Sequence, residues 1–259
     1  MGTVIAKSRF RDALCASFNG TDEYCYVNNP SFKSDTQGAF AFWYRPTTVL
    51  SAAGFRGVIG YGVLSGSNNS QLSLLQRYNG STSINATYRN QPIPDILCVP
   101  TNAGTAARAY GNHIFVSGDW VHWVFQSNGS SWTHYINGVS VGGTAWSGAS
   151  NTGDWLGDIS GSDHRLSFGS QFVSNAPSGY SDQRQNEAIY VNRPLTGAEV
   201  TWLYNGGVPR NPLRGGFGTD LKSWWRFGDS RDDATTIYDE VGSNNLTLVN
   251  MDASNYVAP

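Results

Sequence analysis

The acidic side chains of this sequence occur in arrangements unsuited to cleaving a glycosidic bond. That chemistry needs two carboxylates that face each other across the scissile bond. The pairs Asp22–Glu23 and Asp239–Glu240 are adjacent, so the two carboxylates of each pair point to opposite faces of a regular strand. No Ser-His-Asp or Cys-His arrangement has a recognisable local context, and no phosphate loop of the Gly-x-x-x-x-Gly-Lys type occurs. We therefore expect a protein that is not an enzyme, with a glycoside hydrolase or lyase as the less favoured alternative.

Aromatic residues and histidines are concentrated in WVHWVFQSNGSSWTHYINGVSVGG, residues 120–143. Apolar and polar residues alternate there with the period of two of a strand, and Asn137-Gly138 is a typical tight-turn pair. We interpret this stretch as a β-meander whose aromatic face belongs to a core. His122 and His134 fall on adjacent strands and could approach each other. A metal pair is disfavoured because no third ligand stands at a suitable spacing.

A segment that resembles a loop, GGTAWSGASNTGDWLGD, carries two further tryptophans. Stacking on a sugar needs an exposed aromatic ring beside polar groups, and large exposed aromatics often mark interaction surfaces. Trp146 and Trp155, with Asp154 next to the latter, are the predicted ligand-binding residues. The alternative is that each tryptophan simply pins its loop to the sandwich.

The composition limits the fold and the partners. The formal net charge is −2 and the pI about 6.0, and lysine and arginine do not cluster, so no nucleic-acid partner is expected. Charged residues make up only 14% of the chain, and 30 of its 259 residues are glycine. Asparagine, serine and threonine fill the remainder, which is the profile of a β-sandwich with polar loops.

The sequence also predicts the redox state of the cysteine thiols. No apolar run is long enough for a membrane span or a signal peptide. The three cysteines, Cys15, Cys25 and Cys98, are therefore expected to be reduced. Cys15 and Cys25 flank a turn, however, and could face each other across a hairpin.

One segment favours a helix in a chain otherwise rich in β-prone runs. In TGAEVTWLYNGG, Thr196 is a suitable N-cap and Glu199 follows three residues later, which is a capping box. We predict one short helix near residues 196–205.

The predicted fold class is all-β, a two-sheet antiparallel β-sandwich. We expect a single domain at residues 13–259, preceded by an N-terminal arm or edge strand at residues 1–12. Residues 79–119 contain three prolines and a Gly/Ala-rich stretch. They are predicted to form a long loop excursion with one or two strands inside it, and loops of this length are often functional.

Five motifs follow one another in the order seen in laminin G-like and pentraxin-like jelly rolls of the concanavalin A-like lectin/glucanase superfamily. They are ALCASFNGTDEYCYV, GAFAFWYRP, WVHWVFQSNGSSWTHYINGVSV, RLSFGSQ and NEAIYVNRPLTGAEVTWLYNGG. The resemblance covers about residues 13–250, with residues 62–118 fitting least, and it implies a jelly roll.

The same resemblance implies a possible cofactor. Many relatives hold a calcium ion, and some bind glycans beside it. The positions that match the family's ligands are Asn19 and Asp22 in the early turn and Glu187 near the end. Relatives usually have aspartate where Asn19 stands, so the negative charge offered to Ca²⁺ is lower here.

The closing sequence, LKSWWRFGDSRDDATTIYDEVGSNNLTLVNMDASNYVAP, is similar to the end of such domains in structural proteins of tailed bacteriophages and other viruses of microbes. This implies a capsid-decorating or tail/fibre subunit on the virion surface, assembled in the host cytoplasm. Its partners would be other virion proteins and copies of itself, and adhesion to a host surface glycan is a further expectation. The alternative is a calcium-dependent carbohydrate-binding module.

Overall fold

The computed structural model describes residues 14–102 and 104–259. The predicted arm at residues 1–12 therefore lies outside the described residues. Strands dominate the described part of the chain, and one α-helix occurs in it. None of the helices in this part combines the length and the hydropathy that crossing a bilayer requires.

The first ten strands are β1 (Cys15–Asn19), β2 (Tyr24–Asn28), β3 (Gly38–Pro46), β4 (Gly54–Val63), β5 (Gln71–Tyr78), β6 (Pro92–Val99), β7 (Ala107–Tyr110), β8 (Val121–Ser127), β9 (Trp132–Ile136) and β10 (Val139–Gly142). The others are β11 (Thr144–Ala145), β12 (His164–Phe168), β13 (Gln171–Val173), β14 (Ala176–Ser178), β15 (Asp182–Val191), β16 (Leu221–Trp225), β17 (Thr236–Ile237), β18 (Leu246–Val249) and β19 (Tyr256–Val257). Helix α1 spans Gly197–Tyr204.

Two large antiparallel sheets form the fold. The first sheet has the order β10-β9-β8-β3-β15-β1-β19, and β16 also pairs with β15. The second has the order β11-β7-β6-β5-β4-β12-β2-β18-β17, and β13 and β14 form a separate hairpin that packs against β4. The prediction of an all-β, two-sheet antiparallel sandwich with one short helix near residues 196–205 is confirmed.

The main core lies between the two sheets and is rich in aromatic rings. Tyr44, Trp123 and Phe125 project into it from the first sheet, and Tyr61 and Phe168 project from the second; all five are fully buried. Each such ring removes roughly 150–250 Å² from water, at about 25 cal/mol per Å² of apolar surface. Burial of this aromatic layer is therefore a major source of stability.

Residues 120–143 form the predicted meander. Strands β8, β9 and β10 pair in succession, and Asn137 and Gly138 connect the last two with φ of 52° and 82°. Positive φ at both positions is what the favoured two-residue hairpin turn requires, and it suits an Asn-Gly pair. The predicted core face is confirmed, because Trp123 and Trp132 belong to the core between the sheets.

The two histidines of this meander lie on opposite faces of the first sheet. His134 points into the core, where its Nδ1 accepts a hydrogen bond from Trp123 Nε1 at 3.2 Å. His122 lies on the outer face against the rings of Trp43 and Tyr204. The expectation that the two imidazoles could approach each other is wrong. His134 pairs with Phe125 on β8, and His122 stands three residues before Phe125, so the His122 side chain points to the opposite face.

The three cysteines are free and buried. Cys15 lies on β1 in the first sheet, whereas Cys25 lies on β2 in the second. The turn between β1 and β2 therefore carries the chain from one sheet to the other, and the expectation of a hairpin with two facing thiols is wrong. Burial raises the pKa of all three thiols, that of Cys15 to about 11.

The segment at residues 79–119 is only partly a loop. It contains β6 and β7, which extend the second sheet beyond β5. Residues 79–91 cover the outer face of these strands, where Ile84 packs with Ile93 and Tyr110 in a small cluster separate from the main core. The segment thus both enlarges the sheet and buries one of its faces.

Burial of His122 and His134 predicts acid lability of the fold. Burial lowers the pKa of both imidazoles from 6.5 to about 3. Between these pH values the unfolded chain binds protons that the folded chain does not, so stability falls as pH drops below about 6.5. We expect the free energy of unfolding to decrease by a few kcal/mol, in order of magnitude, between pH 7 and pH 4.

Urea denaturation at a series of pH values measures this effect. His134→Gln keeps an acceptor for Trp123 and removes one titrating group, so the slope of stability against pH should become shallower. An unchanged slope in this variant would show that His134 is not a source of the acid sensitivity.

Candidate functional site

Trp155 is fully buried, contrary to the prediction of an exposed stacking ring. Its Nε1 donates a hydrogen bond to Tyr190 Oη at 3.0 Å, and its ring packs in the core between the sheets. The backbone carbonyl of Asp154 accepts from Trp132 Nε1 at 2.8 Å, and its carboxylate accepts from Thr152 Oγ1 at 2.6 Å. The Trp155 indole thus anchors its segment to the sandwich. It offers no exposed ring beside Asp154 for a sugar to stack on.

Trp146 is also buried, under the loops that cover the second sheet. Its Nε1 donates to Asp95 Oδ1 at 2.8 Å, and the guanidinium groups of Arg77 and Arg108 lie 5.4 and 5.2 Å from its ring centroid. Burial raises the pKa of Asp95 to about 6. The prediction that Trp146 offers a ring to a sugar is wrong, because its ring is occupied by this internal cluster.

Asn19 and Asp22 belong to a turn that is closed by its own hydrogen bonds. Asn19 Oδ1 accepts from the backbone N–H groups of Thr21 at 2.8 Å and Asp22 at 3.2 Å. Its Nδ2 donates to Asp22 Oδ1 at 2.9 Å. The amide oxygen that a calcium ion would need is therefore used to form the turn, as is common for asparagine in turns.

Glu187 lies far from that turn. Asn19 pairs with Asp182 on β15, and Glu187 follows five residues later on the same strand, about 16 Å away at the rise of a strand. The Glu187 carboxylate accepts from Trp224 Nε1 at 2.7 Å. The prediction that Asn19, Asp22 and Glu187 share a calcium ion is therefore wrong.

Nor do other acidic or metal-binding side chains assemble into a centre. Within residues 14–102 and 104–259, no group of three or more His, Cys, Asp or Glu side chains could hold a metal ion. A calcium site of the kind implied by the family resemblance does not fit the described residues.

A surface cavity lies beside helix α1, on the outer face of the first sheet. It is a groove of about 480 Å³ lined by Trp202, Arg210, Asn211 and Arg214. Trp202 is half-buried, whereas Arg210 and Arg214 are exposed. An aromatic surface flanked by planar hydrogen-bond donors is typical of a small-ligand site.

Helix α1 positions the tryptophan of this groove. Thr196 Oγ1 accepts from Glu199 N at 3.2 Å, and Thr196 N donates to Glu199 Oε2 at 2.8 Å, which completes the predicted capping box. Val200 and Leu203 bury one side of the helix against the first sheet. Trp202 is left at the margin of that contact, where it faces the groove.

The chain reverses directly after the helix and brings two arginines back to Trp202. Asn205 ends the helix in the left-handed conformation with φ of 46°. Its Oδ1 accepts from Arg210 Nη2 at 2.6 Å, and the Arg210 guanidinium carbon lies 5.0 Å from the centroid of the Trp202 ring. Asn211 caps the short 3₁₀ turn Pro212–Arg214 by accepting from Leu213 N at 3.0 Å.

Two residues behind the groove hold the Trp202 ring in place. Phe217 meets it edge-on, with centroids 6.1 Å apart. A Cβ atom on Gly215 would lie 2.2 Å from Phe217 and 2.8 Å from the Trp202 ring. Only glycine fits at this position, so the loop packs directly against the indole.

Arg193 fastens both ends of the segment that forms the groove. Its guanidinium binds Glu199 through two hydrogen bonds of 2.8 and 3.0 Å, and its Nε lies 2.8 Å from Asp220 Oδ2. The first turn of α1 is thereby joined to the end of the following loop. The Arg193 guanidinium lowers the pKa of Glu199 to about 2, so this link persists across the physiological pH range.

A much smaller cavity adjoins the groove at Arg210. It is lined by Arg210 together with Ala41, Trp43, His122, Glu187, Ile189, Leu203, Pro212 and Trp224. Glu187 supplies a carboxylate there, held by Trp224. Among the described residues, the wall of the main groove contains, in contrast, two guanidinium groups and no carboxylate.

A second surface groove of about 260 Å³ lies at another part of the sandwich. Its lining includes half-buried Trp120 together with His113, Asp119 and Asn137. It offers one aromatic ring but no arginine, which makes it the weaker candidate and a natural control for the first.

None of the sequence predictions named the residues of the main groove. The signal that was present is the loop NGGVPRNPLRGG, in which two arginines stand four residues apart beside two prolines directly after the helix. In the sequence alone, that loop resembles an ordinary connection. The reversal at Asn205 is what places it against Trp202.

No protein-family model matches this sequence, and no curated protein matches it. Solved structures do share its fold. One from Bacteroides ovatus ATCC 8483, described as a candidate carbohydrate binding protein, has a TM-score of 0.61 at 11% identity and covers 93% of this chain. This chain spans 59% of that protein's length.

Two further structures are similar in fold. The heptameric SAP-like pentraxin from Limulus polyphemus has a TM-score of 0.53 at 13% identity, covering 94% of this chain and 96% of the pentraxin. The K499G mutant of NanB sialidase from Streptococcus pneumoniae has a TM-score of 0.52 at 14% identity, covering 77% of this chain and 28% of the sialidase. The chain therefore has the fold of a jelly-roll β-sandwich.

The capping box should make a measurable contribution to the stability of the segment that carries the groove. Thr196→Ala removes the acceptor for Glu199 N and is expected to lower the free energy of unfolding by about 1 kcal/mol. Thr201→Ala is the matched control on the same helix. Its hydroxyl only bonds back to the Gly197 carbonyl at 2.8 Å, and such bonds stabilise little. Urea denaturation of both variants decides the point; equal losses would contradict the role of the cap.

Proposed function

We propose that this chain is a non-catalytic glycan-binding protein and that the groove beside helix α1 is its binding site. The observation that carries this proposal is the convergence of Trp202, Arg210, Asn211 and Arg214 on one groove of about 480 Å³. The fold that it shares with the Bacteroides ovatus protein, which is described as carbohydrate-binding, supports the proposal.

The residue types match the chemistry of a sugar. Sugar rings have apolar patches of C–H groups, which pack against an indole, and hydroxyl groups, which need directed donors and acceptors. Trp202 supplies the aromatic surface, and Asn211 and the two arginines supply the polar groups. The groove thus offers an aromatic surface to the C–H patches of a saccharide and polar groups to its hydroxyls.

The groove is also largely pre-formed. The Trp202 ring is supported by Phe217 and Gly215, and Arg210 is held by Asn205. A binding site whose side chains are fixed before the ligand arrives loses less conformational entropy on binding. This supports recognition of a ligand rather than an incidental surface depression.

Binding without hydrolysis is favoured by the charges of the groove wall. Glycoside hydrolysis uses two carboxylates on either side of the scissile bond, whereas none of the groove-lining residues in the described part of the chain carries one. A sugar held there would contact positive and neutral side chains.

We further propose that the protein acts at a virion surface, as a capsid-decorating or tail/fibre subunit that contacts other virion proteins and copies of itself. The support is the similarity of the closing sequence, from LKSWWRFGD onward, to structural proteins of microbial viruses. Glycan binding by the groove would then serve adhesion to a host surface.

Loss of the indole should abolish glycan binding. Trp202→Ala is expected to weaken binding to a responsive glycan by at least about tenfold, because stacking on an aromatic ring is lost. A panel of bacterial and algal surface glycans, read out by calorimetry or biolayer interferometry, provides the measurement.

Trp120→Ala is the matched control, since it removes a half-buried tryptophan from the second surface groove. Circular dichroism establishes that both variants are folded. If Trp120→Ala abolishes binding and Trp202→Ala does not, the site is misplaced. If the folded wild-type protein binds no glycan, the proposed function is wrong.

The virion setting has its own test. Antibodies raised against the chain should label purified virus particles from its source under immunogold electron microscopy. Intact particles that remain unlabelled, with the chain recovered only from the host fraction, would refute that setting and leave the glycan-binding proposal untouched.

A further inference from the structure

We infer that the groove selects glycans that carry an anionic group, either a carboxylate or a sulfate ester. The inference rests on the proposed glycan-binding function and deepens it by naming the class of sugar. It follows from the charges of the groove wall and from how its arginines are held.

Two guanidinium groups face the groove, and no carboxylate stands beside them in the part of its wall that the structure describes. Arg210 and Arg214 stand four residues apart, and the 3₁₀ turn at Pro212–Arg214 brings both to the same cavity. Within residues 14–102 and 104–259, neither arginine forms an ion pair. An arginine presents a planar fork of donors that matches a carboxylate or sulfate group in shape and charge.

The acidic groups nearby are already engaged. Glu199 and Asp220 both bind Arg193. Glu187 lines the small cavity next to Arg210 and accepts from Trp224 Nε1. Glu187 shares this small cavity with Arg210 and not with Arg214, so the groove retains a positive charge that an anionic ligand would balance.

The two arginines differ in how tightly they are held. Arg210 is fixed by Asn205 Oδ1 and by the face of Trp202, so it presents its charge in a set direction. Arg214 is exposed at the end of its turn and is free to adjust to the ligand. The fixed guanidinium of Arg210 and the adjustable one of Arg214 would together bind an anionic substituent, while the sugar ring packs against the indole of Trp202.

The positive groove contrasts with the chain as a whole. The formal net charge is −2, so the average field of the protein does not attract anions. Preference for an anionic glycan would therefore come from this groove and would weaken as salt screens its exposed charges.

Matched pairs of oligosaccharides test the inference. Oligogalacturonates against their methyl-esterified forms supply the carboxylate arm, and carrageenan oligosaccharides against their desulfated forms supply the sulfate arm. The wild-type protein should bind at least one anionic member more tightly than its neutral partner, on the order of tenfold to a hundredfold.

Arg214→Gln and Arg210→Gln should each remove most of that preference. Arg214→Lys separates charge from shape: it keeps the charge and loses the planar fork, so it should restore only part of the preference. Arg231→Gln is the control, because it removes the same charge from an exposed arginine that pairs with Glu240 elsewhere, and it should leave the preference intact.

Each alternative outcome is decisive. Equal binding of charged and neutral partners, with binding still lost in Trp202→Ala, overturns the anionic preference and leaves the glycan-binding function standing. A loss in Arg231→Gln equal to that in Arg214→Gln shows general electrostatic attraction and also overturns it. Failure of every oligosaccharide to bind the folded protein overturns both.

Discussion

An apolar sheet face that must be covered is the constraint on which the candidate site depends. The first sheet buries one face against the second sheet, but its other face is also apolar where β3, β15 and β16 run side by side, with Ala41, Ile189 and Trp224 pointing outward. Water contact with that face would be costly. Helix α1 and the loop after it supply the cover, and the groove forms where the cover ends.

Helix α1 and the following loop stay in place because the polar groups at both ends of this segment are hydrogen-bonded. The Thr196–Glu199 box satisfies the start of the helix, Asn205 reverses the chain at its end, and Arg193 joins the first turn to the loop's far end at Asp220. Hydrophobic burial thus fixes where the segment lies, whereas these directional bonds fix its shape. The segment that shields the sheet face from water therefore also positions the groove side chains that face solvent.

Local patterns in the sequence were sufficient for the fold but not for the site. Alternation in residues 120–143 and the capping pair at Thr196 are signals between neighbours in the chain, and both predictions held. Exposure of Trp146 and Trp155 was inferred from the polar loop around them. It failed because their indole N–H groups find acceptors in distant strands, at Asp95 and Tyr190. The groove was missed for a related reason: Arg210 meets Trp202 because three consecutive residues between them, Asn205, Gly206 and Gly207, have positive φ and reverse the chain.

All four side chains of the groove come from one continuous stretch, from Trp202 to Arg214, and none of them lies on a strand. The framework of the sandwich and the proposed determinants of recognition are therefore encoded in separate parts of the gene. If the groove is the binding site, ligand preference could diversify by exchange of this one short segment, while the aromatic core and the strand pairings stay unchanged.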